Sequence, residues 1–337
     1  MRILHWLVLL LLIGCPRTGR MLPPEEIPGE AALSSDVALL EIARRENSRD
    51  AASEVVPLLH HPDPVVAEAA VRALGRMGRP EALGPLAWRL RDPSSAVREA
   101  AAVALSSSHS WTMDDEPARL LLEDEIGAAL SASLDEETDL AVRCAVARAM
   151  GSGAGADVWG DLEELVLEGT EPERVAALEG MAMLGRRGIA TPISGELLDP
   201  LLPALIVADP AVQWWCAYML VRCELADDEV VKQRAHEALT LAATAADPAV
   251  RAVVARALAA VGHEGAVAVV TGMLDSAPPA EVRIGVARAG ATLAGENHDG
   301  ATDLLCALAA DPDPGVREIA ASGLAVASDP AAAEAIV

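Results

Sequence analysis

The sequence predicts an all-α fold, an α-solenoid of about eight helical hairpins. Of the 337 residues, 52% are hydrophobic but only 2% are aromatic, and 68 are alanine. A core without phenylalanine has to be filled by Ala, Leu, Val and Met. That composition suits closely packed helices better than strands, which favour β-branched and aromatic side chains. A motif repeated along most of the chain leads to the same conclusion.

The motif is an Asp-Pro pair followed by a helix. It occurs at Asp63-Pro64, Asp247-Pro248 and Asp313-Pro314, where Asp can cap the helix and Pro can occupy its first position without losing a hydrogen bond. Apolar residues then recur at 0, +3, +4, +7 and +8 from a valine, which defines one face of a helix. We expect glycine to close four of these helices, at Gly75, Gly151, Gly185 and Gly262.

The anchoring valines are spaced 31 to 45 residues apart. They are Val66, Val97, Val142, Val212, Val250, Val282 and Val316, with Ala176 filling one gap. A further apolar helix is expected between anchors, as at Glu81–Leu90, Leu120–Leu130, Asp161–Leu167, Leu201–Val207, Gly265–Leu274 and Thr302–Ala309. Two short helices per roughly 35 residues are typical of a solenoid repeat. We expect end pieces at 36–46 and from Ala331, and a surface loop at 106–117.

The Asp-Pro-x-Val-Arg signature resembles HEAT repeats, in particular the short bacterial HEAT-like type of bilin-lyase-related (PBS-lyase-type) proteins. It is complete at Asp247–Arg251 and Asp313–Arg317, and looser at Asp92–Arg98. The resemblance covers residues 35–337. It implies that the second helix of each repeat lines the inner, concave side of the array.

The first fifteen residues predict a bacterial lipoprotein signal. An apolar run from Ile3 to Ile13 is too short to cross a bilayer core of roughly 30 Å, but has the length of a signal-peptide apolar region. Leu12-Ile13-Gly14-Cys15 then resembles the lipobox, which implies cleavage after Gly14 and lipidation of Cys15. The expected organisation is a signal peptide at 1–14, a Pro/Glu-rich tether at 15–34 and a HEAT-repeat solenoid at 35–337. The alternative is an ordinary secretory signal with a coincidental cysteine.

The net charge of the chain limits the kinds of partner that it can bind. The chain has 26 basic and 51 acidic residues, a formal net charge of −25. Such a body repels phosphate backbones, so we expect no nucleic-acid partner. We expect the protein in the bacterial cell envelope, held to the membrane by lipid on Cys15. Pro16 after the cysteine, where Asp would signal inner-membrane retention, favours the periplasmic side of the outer membrane.

Two His-Glu pairs raise the question of a metal site. In deoxyhypusine hydroxylase, another HEAT-repeat family, four such pairs at equivalent repeat positions bind two irons. Here His236-Glu237 and His263-Glu264 lie at different distances from their anchors, so we expect them on the solvated surface. His60-His61 is expected in a turn. We therefore predict no catalytic residues, no metal and no cofactor.

Two other residue types are expected to be structural. The acidic runs Asp114–Glu116, Glu123–Glu125 and Asp135–Asp139 lack the spacing of a calcium loop, so solvated turns are expected. The cysteines after Cys15 are expected to be small core or lining residues: Cys144, Cys216, Cys223 and Cys306.

Position +6 after each anchor faces away from the apolar stripe, and it carries the candidate binding residues. In this column we single out Arg148, Tyr218, Arg256 and Arg288. Trp214 stands one turn before Tyr218, so the two rings share a face, whereas Trp215 at +3 is expected in the core. Trp, Tyr and Arg dominate protein-binding hot spots, which predicts a partner-binding stripe. Alternatively, the arginines pair with neighbouring carboxylates and only stiffen the array.

Three functions follow from this sequence. The first is a lipid-anchored envelope scaffold that binds a protein or peptide along its concave face, without catalysis. The second is an accessory or bilin-lyase-like protein, which the export signal argues against because bilin attachment is intracellular. The third is a purely structural spacer.

The lipobox makes a direct prediction. Cys15→Ala should leave the protein uncleaved or unlipidated, since the cysteine sulfur is the lipid attachment point, and should move the protein out of the detergent phase on phase partitioning. Intact-mass analysis of protein purified from envelopes measures the modification. An unmodified Cys15 in that material would contradict the prediction.

Overall fold

The computed structural model describes residues 33–46, 52–107, 116–189 and 192–327. Within these ranges the chain forms seventeen α-helices and no strand, and a parallel bridge pairs Ile193 with Leu225. The all-α prediction is confirmed. The lipobox with Cys15, nearly all of the predicted tether, and the end piece from Ala331 lie outside the described residues.

The helices form eight hairpins after an opening helix, α1 (Ser35–Glu46). The first helices of the hairpins are α2 (Ala52–Val55), α4 (Leu83–Trp88), α6 (Glu116–Glu136), α8 (Trp159–Glu168), α10 (Gly195–Val207), α12 (Glu229–Ala242), α14 (Ala266–Gly272) and α16 (Ala301–Leu308). The second helices are α3 (Pro64–Met77), α5 (Ser95–Ser106), α7 (Leu140–Gly153), α9 (Glu171–Arg186), α11 (Pro210–Arg222), α13 (Pro248–Val261), α15 (Ala280–Gly295) and α17 (Pro314–Val326). This confirms the solenoid with about eight repeats.

The structure contains the end piece predicted at 36–46, little of the predicted loop, and one first helix that was not predicted. Helix α1 packs on α3 as the expected end piece, and Arg76 donates to Glu46 with its Nη2 at 2.8 Å. The predicted loop at 106–117 falls mostly outside the described residues, and α6 already begins at Glu116. Helix α12 is a first helix that the apolar pattern does not single out, because charged residues such as Lys232 and Arg234 interrupt its stripe.

The motif residues take the positions that the repeat predicts. The Asp63 carboxylate accepts a hydrogen bond from Val65 N–H at 3.0 Å, and Asp247 and Asp313 cap α13 and α17 in the same way. All eight anchor side chains are buried, with at most 3% of their surface exposed. The Asp cap therefore marks where these three second helices begin, and the anchor determines which face each second helix buries.

Glycine works differently from the prediction at three of the four positions. Gly262 does end α13, at a φ of 69°. Gly75, Gly151 and Gly185 instead lie inside α3, α7 and α9. A Cβ on Gly75 would stand 2.7 Å from the Cβ of Ala104 on α5, and Cβ atoms on the other two would collide with the backbone of the next second helix. These glycines are needed because successive second helices touch there.

Contact between repeats is closer on one side of the array. Each second helix packs against the next along the whole series, whereas the first helices are in less extensive contact with one another. The second helices therefore form the more closely packed side of the array, which the resemblance implies is the concave side.

Ion pairs also link the repeats, and they bury two acids that were expected in solvated turns. Arg98 on α5 donates to Glu137 at 2.6 and 3.0 Å, and only 9% of Glu137 is exposed. Glu123 lies within α6, is 5% exposed and pairs with Arg187 at 3.1 Å. The physical reason is that an arginine of a neighbouring repeat lies against each of these two carboxylates, and its positive charge stabilises the buried negative charge.

The four cysteines of the described ranges are free thiols. Cys144, Cys216 and Cys223 are buried free thiols and Cys306 is half-buried, in agreement with core or lining roles. Burial raises the pKa of Cys216 and of Cys223 to about 12, so both stay protonated.

Among the described helices, none is long and apolar enough to span a membrane.

The packing of α7 against α9 predicts a large effect for a small change. Gly151→Ala adds a methyl group where the backbone of Gly180 lies, and overpacking of this kind typically costs 1–3 kcal/mol, so we expect the free energy of unfolding to fall by about 2 kcal/mol. The control is Gly160→Ala on α8, where a Cβ meets no atom within 4 Å and helix propensity should leave stability equal or slightly higher. Urea unfolding followed by circular dichroism measures both. Equal stability of the two variants would show that α7 and α9 do not touch.

Candidate functional site

The two aromatic residues predicted to share a face do so on α11. The rings of Trp214 and Tyr218 stack with centroids 4.8 Å apart and planes 20° apart. Trp215 meets Trp214 edge-on at 4.7 Å and lies 5.7 Å from Tyr218. Three aromatic rings therefore form one cluster on the outward side of α11.

The placement of Trp215 in the core is wrong, because Trp215 is only half-buried, like Trp214 and Tyr218. The buried side of α11 is wide, since α11 packs against α9, α10 and α13. It comprises Val212, Gln213, Cys216, Ala217, Met219 and Leu220. An α-helix turns by about 100° per residue, so Tyr218 points away from the middle of the buried side. Trp214 and Trp215 lie on either side of Tyr218.

Two arginines hold the tyrosine ring. Arg222, one turn after Tyr218, donates from Nε to the tyrosine hydroxyl at 3.0 Å and has its guanidinium carbon 5.1 Å from the ring centroid. Arg256, on the neighbouring α13, has its guanidinium carbon 5.7 Å from the same centroid. Both distances are within the range of cation–π attraction. Arg222 was missed by the sequence prediction, although its i, i+4 spacing from Tyr218 on an outward face could have indicated it.

Arginines of the +6 column fall into two groups. Arg148 donates to Glu179 at 2.8 Å, and Arg72 is paired with Glu68 at 2.8 Å. For these two, pairing with a neighbouring carboxylate is the observed arrangement, so the inclusion of Arg148 in the binding stripe is not supported by its contacts. Moreover Ala182, at +6 on α9, is fully buried and separates Arg148 from Tyr218. Arg256 and Arg288, with Arg222, form no ion pair with any carboxylate in the described part of the chain.

These three arginines line a cavity between α11, α13, α15 and α17, which we call the arginine groove. Its volume is about 560 Å³. Apolar side chains form much of its surface, and Glu318 and Ser322 of α17 contribute polar groups. The apolar residues of the lining are Val221, Ala260, Ala291, Ile319 and Val326.

Positive charge is concentrated in the arginine groove. Burial lowers the pKa of Arg256 from its ordinary value, and the nearby charges of Arg222 and Arg288 lower it further. Arg256 nevertheless remains charged at neutral pH, because the ordinary pKa of arginine is far above 7. A protein with a formal net charge of −25 thus carries a local cluster of like positive charges. None of the three forms an ion pair within the described residues, although Glu318 lines the same groove.

The expectation that His236 lies on the solvated surface is wrong. Only 9% of His236 is exposed, and its ring stacks on that of His263 at 4.1 Å. His263 Nδ1 accepts a hydrogen bond from Gly265 N–H at 3.0 Å, and His236 Nδ1 is buried with no hydrogen-bond partner. The two histidines meet because the end of α13 turns back over α12, a tertiary contact that their sequence positions do not show. In the described ranges no cluster of three or more His, Cys, Asp or Glu residues could hold a metal ion.

The other histidine pair agrees with its prediction. His61 lies in the turn before α3, where its Nδ1 accepts from Asp63 N–H at 3.1 Å and its Nε2 lies 2.8 Å from the carbonyl oxygen of Leu33. His60 packs against Trp88 with ring centroids 5.6 Å apart. Burial, and to a smaller degree the charge of Arg89, lowers the pKa of His60.

The lowered pKa values of buried His236 and partly covered His60 predict a loss of stability at mildly acidic pH. Burial, and secondly the neighbouring His263, lowers the pKa of His236 below 6.5, as burial does for His60. Because the unfolded chain binds the proton more tightly, the free energy of unfolding should fall as the pH drops below about 6.5. His236→Gln should reduce that fall between pH 7.5 and 5.5, and His60→Gln in addition should reduce it further. Thermal unfolding at a series of pH values tests this, and a slope unchanged by both substitutions would contradict it.

Comparisons with known proteins address the family. No curated protein matches the chain. Among solved structures, human deoxyhypusine hydroxylase in complex with glycerol is similar at 19% sequence identity and a TM-score of 0.34, over 85% of this chain and 98% of that chain. The family of HEAT repeats matches residues 52–126 and 198–291, which together make up half of the chain. With its Asp-Pro-x-Val-Arg signatures and eight stacked hairpins, the protein belongs to the HEAT-repeat family.

Proposed function

We propose that this protein is a lipid-anchored scaffold of the bacterial cell envelope that binds a protein or peptide along the concave face of its solenoid. The observation that carries the proposal is the cluster of Trp214, Tyr218, Arg222, Arg256 and Arg288 on that face. HEAT repeats suggest a protein-binding or scaffold role in general. The proposal assigns no reaction to the chain.

The arrangement of these residues supports binding over a purely structural role. Outside the groove, arginines are held by carboxylates, as Arg148 is by Glu179, or by backbone carbonyls, as Arg174 is by Val166. Arg256 and Arg288 lie near one another instead and without such a partner among the described residues, which costs free energy in the unbound protein. A partner that brings complementary groups would remove this cost.

The aromatic rings add the apolar component that a binding site needs. Trp214, Trp215 and Tyr218 are half-buried against the core and leave part of each ring accessible. Aromatic and arginine side chains of this kind provide most of the free energy at protein interfaces, where a partner covers them fully. Because α11 lies in the middle of the array, a partner seated on these rings can also contact α13 and α15.

Membrane attachment is the part of the proposal that rests on the sequence. The Leu12-Ile13-Gly14-Cys15 pattern and the apolar run before it support lipidation of Cys15. Two or more acyl chains give stable anchoring, and a strongly acidic body needs such a tether because anionic lipid repels it. The proposed location is the periplasmic side of the outer membrane.

Site-specific photo-crosslinking tests the binding face. A photo-reactive amino acid at Thr292, exposed on α15 at the arginine groove, should give a discrete crosslinked partner in intact envelopes. The matched control is Ala268, exposed on the first helix α14 of the same region, which should give none. Trp214→Ala should reduce the Thr292 adduct at least tenfold, which corresponds to about 1.4 kcal/mol.

Two outcomes would contradict the proposal. Equal adducts from Thr292 and Ala268 would mean that the second-helix side has no special role. No adduct from Thr292 would favour the structural spacer.

A further inference from the structure

We propose that the arginine groove binds an extended acidic peptide segment, whose carboxylates pair with Arg222, Arg256 and Arg288. This inference rests on the proposed function, because it names the chemical class of the partner at the same face. It commits to a peptide with regularly spaced Asp or Glu side chains.

The three arginines line the groove from three successive second helices, α11, α13 and α15. Packed helices lie about 8–10 Å apart, so a ligand that contacts all three arginines has to span roughly 20 Å. The guanidinium carbons of Arg222 and Arg256 lie 5.1 and 5.7 Å from the same Tyr218 ring centroid. One phosphate or one carboxylate is too small to contact all three groups, whereas a linear chain that carries several anionic groups can.

An extended peptide matches this spacing. In the polyproline II conformation the chain rises about 3.1 Å per residue and repeats every three residues, so every third side chain points to the same side at intervals of about 9 Å. Acidic residues at every third position would therefore meet Arg222, Arg256 and Arg288 in turn. Carboxylate and guanidinium groups form paired, charge-assisted hydrogen bonds, which suits arginine better than lysine.

The apolar part of the groove suits the peptide residues that lie between the acidic ones. Its surface between the arginines is largely apolar, with Val221, Ala291 and Ile319 among the lining side chains. Small apolar residues of a peptide could be buried there, next to the aromatic cluster around Tyr218. A ligand of mixed acidic and apolar character is therefore favoured over a purely anionic one.

Charge argues for a peptide over a nucleic acid. A nucleic-acid strand carries a phosphate about every 3.4 Å, so it would place negative charge between the arginines and next to Glu318 of α17. The remainder of this strongly acidic protein would repel the rest of the strand. A peptide needs to carry charge only where the arginines stand.

Peptide binding to the purified solenoid tests the inference. The probe is a fluorescent nine-residue peptide with glutamate at every third position and proline or alanine between, followed by fluorescence anisotropy. It should bind, and binding should weaken as NaCl rises from about 50 to 200 mM, since charged contacts are screened. The same peptide with glutamine for glutamate, and one with its three glutamates adjacent at one end, should each bind at least tenfold more weakly.

Protein variants locate the site. Arg288→Gln should weaken binding of the spaced-glutamate peptide at least tenfold, and because Arg288 is exposed the fold should be unaffected, as circular dichroism can verify. The matched control is Arg72→Gln, at the same +6 position of α3 but paired with Glu68 and outside the groove. It should bind as the unaltered protein does.

Several results would overturn the inference. They are equal binding of the glutamine peptide, equal binding of the clustered-glutamate peptide, no effect of Arg288→Gln, or competition by a single-stranded oligonucleotide as effective as that of the peptide. If any of these occurs while the Thr292 crosslink to an envelope partner persists, the ligand class is wrong and the scaffold function stands. Loss of both would remove the proposed function as well.

Discussion

The fold depends on how closely successive second helices approach one another. Where α7 meets α9, Gly151 lies against the backbone of Gly180, and where α9 meets α11, Gly185 lies against the carbonyl group of Arg222. Because glycine has no side chain, the second helices can pack closely at these positions and form one continuous layer. The first helices are in less extensive contact with one another. The outward sides of α11, α13 and α15 then form a single surface.

Arginine has two distinct roles in this chain. At the position after the anchor valine it joins repeats, as when Arg283 on α15 pairs with Asp311 before α17 at 2.8 and 3.1 Å while donating to the carbonyl oxygen of Pro278. Arg98 and Arg143 join repeats in the same way, through Glu137 and Glu173. The arginines of the groove have no carboxylate partner in the described residues, although the chain contains 51 acids. That contrast is the physical basis for separating a structural from a binding function.

Most of the repeat organisation could be predicted from local patterns, and the errors share one cause. The caps at Asp63, Asp247 and Asp313 and the buried anchors depend on residues a few positions apart, so the sequence displays them directly. The errors at Gly151, Trp215 and His236 depend on contacts with another helix. Gly151 makes room for the backbone of α9, the contacts of α11 with its neighbours leave Trp215 outside the buried side, and His236 is covered by the turn after α13.

The sequence by itself determined the helical fold class, the number of repeats and the outward direction of Trp214, Tyr218, Arg256 and Arg288, because these follow from helical periodicity within a repeat. Only the tertiary structure decided which arginines are paired and which remain available. Arg148 pairs with Glu179 on the next second helix, whereas Arg256 and Arg288 pair with no acid among the described residues. Charge pairing across the stack depends on the distance and rotation between neighbouring helices, and no pattern within a single helix encodes those.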